Sequence, residues 1–283
     1  MKFHNGTAEI YIPDNTAEQD ALKRTTHLAV SAHQDDIEIM AASPILDCFQ
    51  QPDRWFSAVV VTDGRGSPRN GLYENYSDDE MRLVRFKEQK KAAFVGEYGS
   101  LMMLDYPSAQ VKDARVPDVV DDLLAILNAA RPTYVYTHNL ADKHDTHIGV
   151  ALRVIAAIRR MDKAVRPRQL FGCEVWRNLD WMLDTSKVPF NLSAMENMQA
   201  ALVGVYDSQI SGGKRYDLAS LARRRANATY FESHGVDEYS GLSFGMDLSP
   251  LITDDKLDPG GFIDDLINQF REDVQNRLRR MSS

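Results

Sequence analysis

The sequence predicts an α/β fold, a mainly parallel sheet with helices on both faces, and two patterns carry that prediction. Short, near-continuous apolar stretches rich in β-formers recur along the chain, with helix-periodic stretches between them. Strands that are apolar on both sides need cover on both sides, which crossover helices supply. At 283 residues the chain is long enough for one large domain of this kind, or one domain plus an appendage.

The elements follow in order. Residues 27–32 (His-Leu-Ala-Val-Ser-Ala) and 57–62 (Ser-Ala-Val-Val-Val-Thr) read as buried strands. Residues 101–104, 134–137, 170–176 and 201–206 are further strand candidates. Residues 79–95 read as a helix, as do 117–130, where Val120, Leu123, Leu124 and Leu127 share a face and Pro117 suits a first turn. Residues 64–77, rich in Gly, Asn, Ser, Pro and Tyr, read as a long loop of the kind that tends to be functional or disordered. Residues 249–261 have linker composition. Beyond them Phe262, Leu266, Phe270, Val274 and Leu278 recur every four residues, an amphipathic C-terminal helix that docks on the domain or on a partner chain, a homo-oligomer included. The expected division is a domain over 1–248 and a linker and helix over 249–283.

Composition narrows the class. Hydrophobic content of 43% and charged content of 26% are those of a globular protein. No apolar run reaches the roughly 18 residues of a membrane span, and the first residues lack the basic-then-apolar order of a secretion signal, so a cytoplasmic location is expected. A net charge of −8 argues against a nucleic-acid partner, with Arg223-Arg224-Arg225 read as a solvated helix face. Cys48 and Cys173, both in apolar surroundings, read as buried free thiols.

Two clusters carry chemistry. Residues 33–36 (His-Gln-Asp-Asp) follow the first predicted strand, where ligands gather in open α/β sheets. One imidazole and two carboxylates there are costly to bury unless something positive joins them. Capping of the next helix by the aspartates is the plainer alternative. Residues 137–147 (Thr-His-Asn-Leu-Ala-Asp-Lys-His-Asp-Thr-His) also follow an apolar strand and hold His138, His144 and His147, three of the chain's 7 histidines. Asp142 or Asp145 could cap the helix that begins there. An open catalytic zinc site needs three protein ligands, and His33, Asp36 and His147 would supply two nitrogens and one oxygen. Asp35, beside a ligand yet free of the metal, is the natural general base. His144, one helical turn before a ligand, could donate to a developing oxyanion or leaving amine.

These residues resemble the PIG-L/LmbE family of zinc-dependent N-acetylglucosaminyl deacetylases. That family carries an Ala-His-Pro-Asp-Asp-Glu-like motif after its first strand and a His-Pro-Asp-His-like motif after a later one. Here they stand as Ala32-His33-Gln34-Asp35-Asp36 and His144-Asp145-Thr146-His147. Val61-Thr62-Asp63-Gly64, Arg85-Phe86-Lys87-Glu88 and Asp207-Ser208-Gln209 extend the match, which runs from about residue 27 to about 210. The resemblance implies a Rossmann-like fold, one Zn²⁺ on His33, Asp36 and His147, Asp35 as base, His144 as electrostatic partner and Arg85 at the substrate. An arginine on the helix surface paired with Glu88 is the alternative for Arg85.

The implied reaction removes an N-acetyl group from an amino sugar or its conjugate, a small-molecule substrate. The alternatives are an amidase for a larger acyl group and a metal-dependent carbohydrate-binding protein without turnover, which would have no need of Asp35. Phosphate-ester chemistry at Asp63-Gly64-Arg65-Gly66-Ser67 lacks the Lys-Ser/Thr of a phosphate-binding loop. Two departures from the family pattern stand out. Gln34 replaces a proline, and Thr146 stands where the family has aspartate, so a charged His144 would need Asp145 or Asp142 as its support. Without one it would work as a neutral donor.

Overall fold

The computed structural model describes residues 1–282. Among them, eight strands form one sheet: β1 (Glu9–Tyr11), β2 (His27–Ser31), β3 (Phe56–Thr62), β4 (Ser100–Tyr106), β5 (Tyr134–His138), β6 (Gln169–Cys173), β7 (Lys187–Asn191) and β8 (Leu242–Asp247). Their order is β1-β4-β3-β2-β5-β6-β8-β7. The central five, from β4 to β6, run parallel, while β1, β7 and β8 pair antiparallel at the two margins. This is the predicted α/β fold, Rossmann-like in its parallel part.

Alternation along the strands explains the layers. Leu28, Val30, Val59, Val61, Met102 and Leu104 point to one side and pack with the helices Asp118–Ala130 and Asp145–Arg159. Ala29, Ala58, Val60, Leu101 and Met103 point to the other, against Ile37, Met40, Ile45, Phe86 and Ala93. Strand order runs outward from β2 toward β3 on one side and toward β5 on the other. The crevice beyond the carboxyl ends of these strands is where such sheets bind ligands.

Three expectations need correction. Residues 201–206 are not a strand: Glu196–Gly204 is a helix that buries Leu202 and Val203. Its upstream Glu-Asn-Met-Gln-Ala run favours helix, and the short apolar stretch by itself has no period to say otherwise. The expected linker begins as the helix Ser249–Thr253, with Leu251 and Ile252 in the core, and the terminal helix Pro259–Ser282 starts within it. Arg223 to Arg225 is not a uniformly solvated face. Arg224 is buried and donates to the Glu38 and Ile39 carbonyls and to Gln199 Oε1. Both cysteines are free and buried, as expected. Among the described residues no helix is long and apolar enough to cross a membrane.

Candidate metal centre and active site

The loop after β2 is held by its neighbours on both sides. The Ala32 carbonyl accepts from the Thr62 backbone N–H and hydroxyl (2.9 and 2.8 Å), and the Ala32 N–H donates to His138 Nε2 (2.8 Å). Gln34, in the proline position, is fully buried and donates to the Thr62 carbonyl (3.1 Å). It packs so closely on Gly64 that a Cβ there would lie 2.4 Å from Gln34 Oε1, and Gly64 has φ +71°. Both facts demand glycine. Asp35 sits at φ 90°, a left-handed conformation that costs a non-glycine residue on the order of 1–3 kcal/mol and marks functional sites. Gln89 steadies it by accepting from its N–H (3.3 Å) while donating to the buried Glu38 carboxylate (2.9 Å).

The two distant motifs meet here. His33 Nδ1 lies 3.1 Å from Asp36 Oδ2 and 3.2 Å from His147 Nε2, and His147 Nε2 lies 3.3 Å from Asp36 Oδ2. Ligand atoms around a tetrahedral zinc, each about 2.0–2.1 Å from the ion, stand about 3.3 Å apart. The triangle therefore matches the ligand spacing of a metal site. Protons cannot satisfy all three sides of such a triangle, whereas one cation satisfies every lone pair at once. Burial alone would raise the Asp36 carboxyl, but the His147 and His33 imidazoles hold it well below the carboxylate range. Burial lowers His147, yet the Asp36 and Asp142 carboxylates outweigh it and bring the imidazole up to about 9. The pocket calls for positive charge.

His138 offers a second possible set with Asp36 and His147. Its Nε2 already accepts from Ala32, its ring stacks on His147 at 3.8 Å, and it stands 3.6 Å from Asp36 Oδ2. An acceptor occupied by a backbone N–H is not free for a metal, so His33, Asp36 and His147 are the better set. Asp142 completes the arrangement from behind, with Oδ2 3.3 Å from His147 Nδ1 while accepting from the Trp176 N–H (3.2 Å). A carboxylate on the far nitrogen of a ligand histidine fixes its tautomer and raises its basicity.

Asp142 thus serves the His147 imidazole and reaches His144 only at its backbone N–H (3.3 Å), and Asp145 is exposed on the surface. Among the described residues no carboxylate hydrogen-bonds to the His144 imidazole, whose Nδ1 is buried without a partner. Burial, then the nearby His147 and His33, lower its pKa. Of the two possibilities left by the sequence, the neutral form is the one the geometry favours.

Arg85 is neither on the helix surface nor paired with Glu88. It is 2% exposed, lies 3.4 Å from Asp35 Oδ2 and donates to the Gln34 carbonyl. Glu88 instead accepts from the Ser208 N–H and hydroxyl (2.7 and 2.6 Å), which ties the 207–209 element to the helix Asp78–Val95. Burial, reinforced by the Asp36 and Glu38 carboxylates, pushes the Asp35 carboxyl up to about 7, with Arg85 opposing the shift.

His33, Asp35, Asp36, Arg85 and His144 line a cleft of about 400 Å³ together with Asp63, Trp176, Gln209, Lys214 and Tyr216. The long 64–77 loop contributes Gly64, Gly66, Ser67 and Pro68, whereas the Tyr73 hydroxyl donates to Asp207 (2.6 Å) outside the lining. Trp176 and Tyr216 meet edge to face at 6.1 Å, with Lys214 above the indole at 5.0 Å. Nothing in the sequence pattern singled out this wall. Trp176 stands just past the end of β6, the same strand-end position that drew attention to His33 and His138.

The family model for PIG-L, GlcNAc-PI de-N-acetylase, matches residues 28–158, a stretch that contains both motifs. Over residues 28–158 the chain is similar to the PIG-L family. Solved structures similar to the chain include a conserved protein from Thermus thermophilus (20% identity, TM-score 0.60, covering 78% of this chain and 94% of that one). The 4-carboxy-2-hydroxymuconate hydratase from Pseudomonas putida is similar at 15% identity and TM-score 0.60, over 79% and 95% of the two chains. N,N'-diacetylchitobiose deacetylase from Pyrococcus horikoshii is similar at 16% identity and TM-score 0.58, over 82% and 88%. No curated protein sequence matches the chain. At these identities the structures share only the fold with this chain. Since a hydratase and a deacetylase both use it, the reaction must be argued from the site.

Proposed function

We propose that the chain is a metal-dependent N-deacetylase of an amino sugar or amino-sugar conjugate, with one zinc ion on His33, Asp36 and His147. The observation that carries this reading is the triangle of ligand atoms, 3.1–3.3 Å on a side, with Asp35 beside it at the floor of an open cleft. A metal ion in that position supplies Lewis acidity toward water and toward an acyl oxygen. Asp35 takes the proton of the attacking water and passes it toward the leaving amine. Neutral His144 donates to the oxygen on which negative charge develops. Trp176 and Tyr216 offer an apolar face to a sugar ring, and Asp63 and Gln209 offer it polar partners.

Arg85 is a positioning residue in this scheme, since it favours the ionised, proton-accepting form of Asp35. In Arg85→Gln that support is gone, and the Asp35 carboxyl protonates more readily. The acid limb of the kcat/KM profile is expected to move to higher pH, with kcat reduced at neutral pH and less so at high pH. An unmoved limb would make Arg85 a substrate contact or a packing residue instead.

The reading is tested by free-amine release over a panel of N-acylated sugars and conjugates, with zinc added and with a chelator. Amine and acetate should appear in equal amounts, disappear on chelation and return with zinc. A larger acyl group accepted in preference to acetyl would move the assignment to the broader amidase class. The hydratase among the similar structures makes unsaturated carboxylic acids the control panel. Metal-dependent hydration of one of these, with no amine release from any sugar, would overturn the deacetylase reading.

A further inference from the structure

The helix Pro259–Ser282 carries an apolar stripe that no other described residue covers. Its first turns are anchored, with Phe262, Ile263 and Leu266 packed on the core and Ser186 Oγ donating to Gln269 Oε1 (3.2 Å). Beyond them Ile267, Phe270, Val274, Leu278 and Met281 are 46, 40, 38, 61 and 82% exposed. At helical periodicity these five fall within an arc of about 80° and form a stripe about 21 Å long. Five large apolar side chains in one exposed row mark an interaction surface.

The stripe is symmetric about its middle residue. Ile267 and Met281 stand seven positions either side of Val274, and Phe270 and Leu278 stand four. A two-fold contact needs this property, because each residue must meet on the partner the residue that meets it in return. Laid antiparallel on a second copy, Val274 meets Val274, Phe270 meets Leu278 and Ile267 meets Met281. Charge has the matching polarity. Asp264 and Asp265 are the only charged residues from Pro259 to Phe270, and Arg277, Arg279 and Arg280 are the only ones after Val274. An antiparallel pair brings Asp264 and Asp265 of each helix within about a turn, along the axis, of Arg279 and Arg280 of the other and opposes the two helix dipoles, while Arg271 stands level with Arg277. A parallel pair would set like charge against like.

We infer that this helix is a self-association element, through which two copies of the chain pair antiparallel about Val274. Sedimentation velocity on the full chain should give twice the chain mass for the wild type and the chain mass for Val274→Asp and Leu278→Asp. Both positions are exposed, so circular dichroism and amine release should be unchanged in the variants. Cysteine cross-linking fixes the direction: a mixture of Phe270→Cys and Leu278→Cys chains should oxidise to mixed dimers, and neither variant alone should. A wild type that stays monomeric at tens of micromolar would overturn the inference. So would dimers that survive both aspartate variants, or single-cysteine chains that cross-link with themselves. Monomers that bind anionic vesicles through this helix would assign the stripe to a lipid surface instead.

Discussion

Asp35→Asn is expected to lower kcat about a hundredfold to ten-thousandfold while the protein still binds one metal ion, the range typical for loss of a general base. The amide keeps the size of the carboxylate, and asparagine tolerates the left-handed backbone at φ 90° better than most residues. What it lacks is a proton acceptor beside the water. Because burial pushes the Asp35 carboxyl up to about 7, the wild type should lose activity as pH falls through the neutral range, with the cation of Arg85 holding that limb down. A bound metal adds positive charge and moves the limb lower still. Near-wild-type turnover in Asp35→Asn would make the carboxylate structural and favour a metal-dependent carbohydrate-binding protein.

His144→Ala should also cost about a hundredfold to a thousandfold in kcat, the loss seen when one donor to a developing oxyanion is removed. The pH dependence separates the two ways His144 could act. Its imidazole is pushed below the ordinary histidine value by burial and by His147 and His33, so it is neutral at and above neutral pH. No activity should then be lost on the alkaline side through its deprotonation, and whatever alkaline limb the wild type shows should persist in His144→Ala. Disappearance of that limb in the variant would mean that His144 works as an imidazolium.

The proximity of His33, Asp36 and His147 was legible in the sequence and their surroundings were not, for a physical reason. His33 and Asp36 lie just past the carboxyl end of one apolar strand and His147 in the first turn of the helix that follows another, and strand ends and helix starts are local properties readable from a run of residues. Whether Asp142 supports His144 or His147 depends on how the 139–145 turn folds, which spacing does not fix. Arg85 had a legible signal that went unread: Met81, Arg85, Glu88 and Ala92 share one face of the helix Asp78–Val95, and all four are buried. Charged side chains on a buried stripe require partners inside, and Asp35 and Ser208 are those partners. The margins of the sheet were hidden differently. β1 has only three residues, and β7 alternates in burial and carries Pro189, tolerated because it is an edge strand. Neither resembles the continuous apolar runs of the parallel centre.

Calorimetric titration of the metal-free protein with zinc tests the central claim most directly. The wild type should bind one ion per chain, and His33→Ala and His147→Ala should each abolish or severely weaken that binding. His138→Gln should keep the stoichiometry, since its Nε2 is committed to the Ala32 N–H. Asp142→Asn should keep it too, with affinity lower by about 10–100-fold through the loss of support for His147. One ion bound equally by the wild type, His33→Ala and His147→Ala, or binding abolished by His138→Gln alone, would contradict the account.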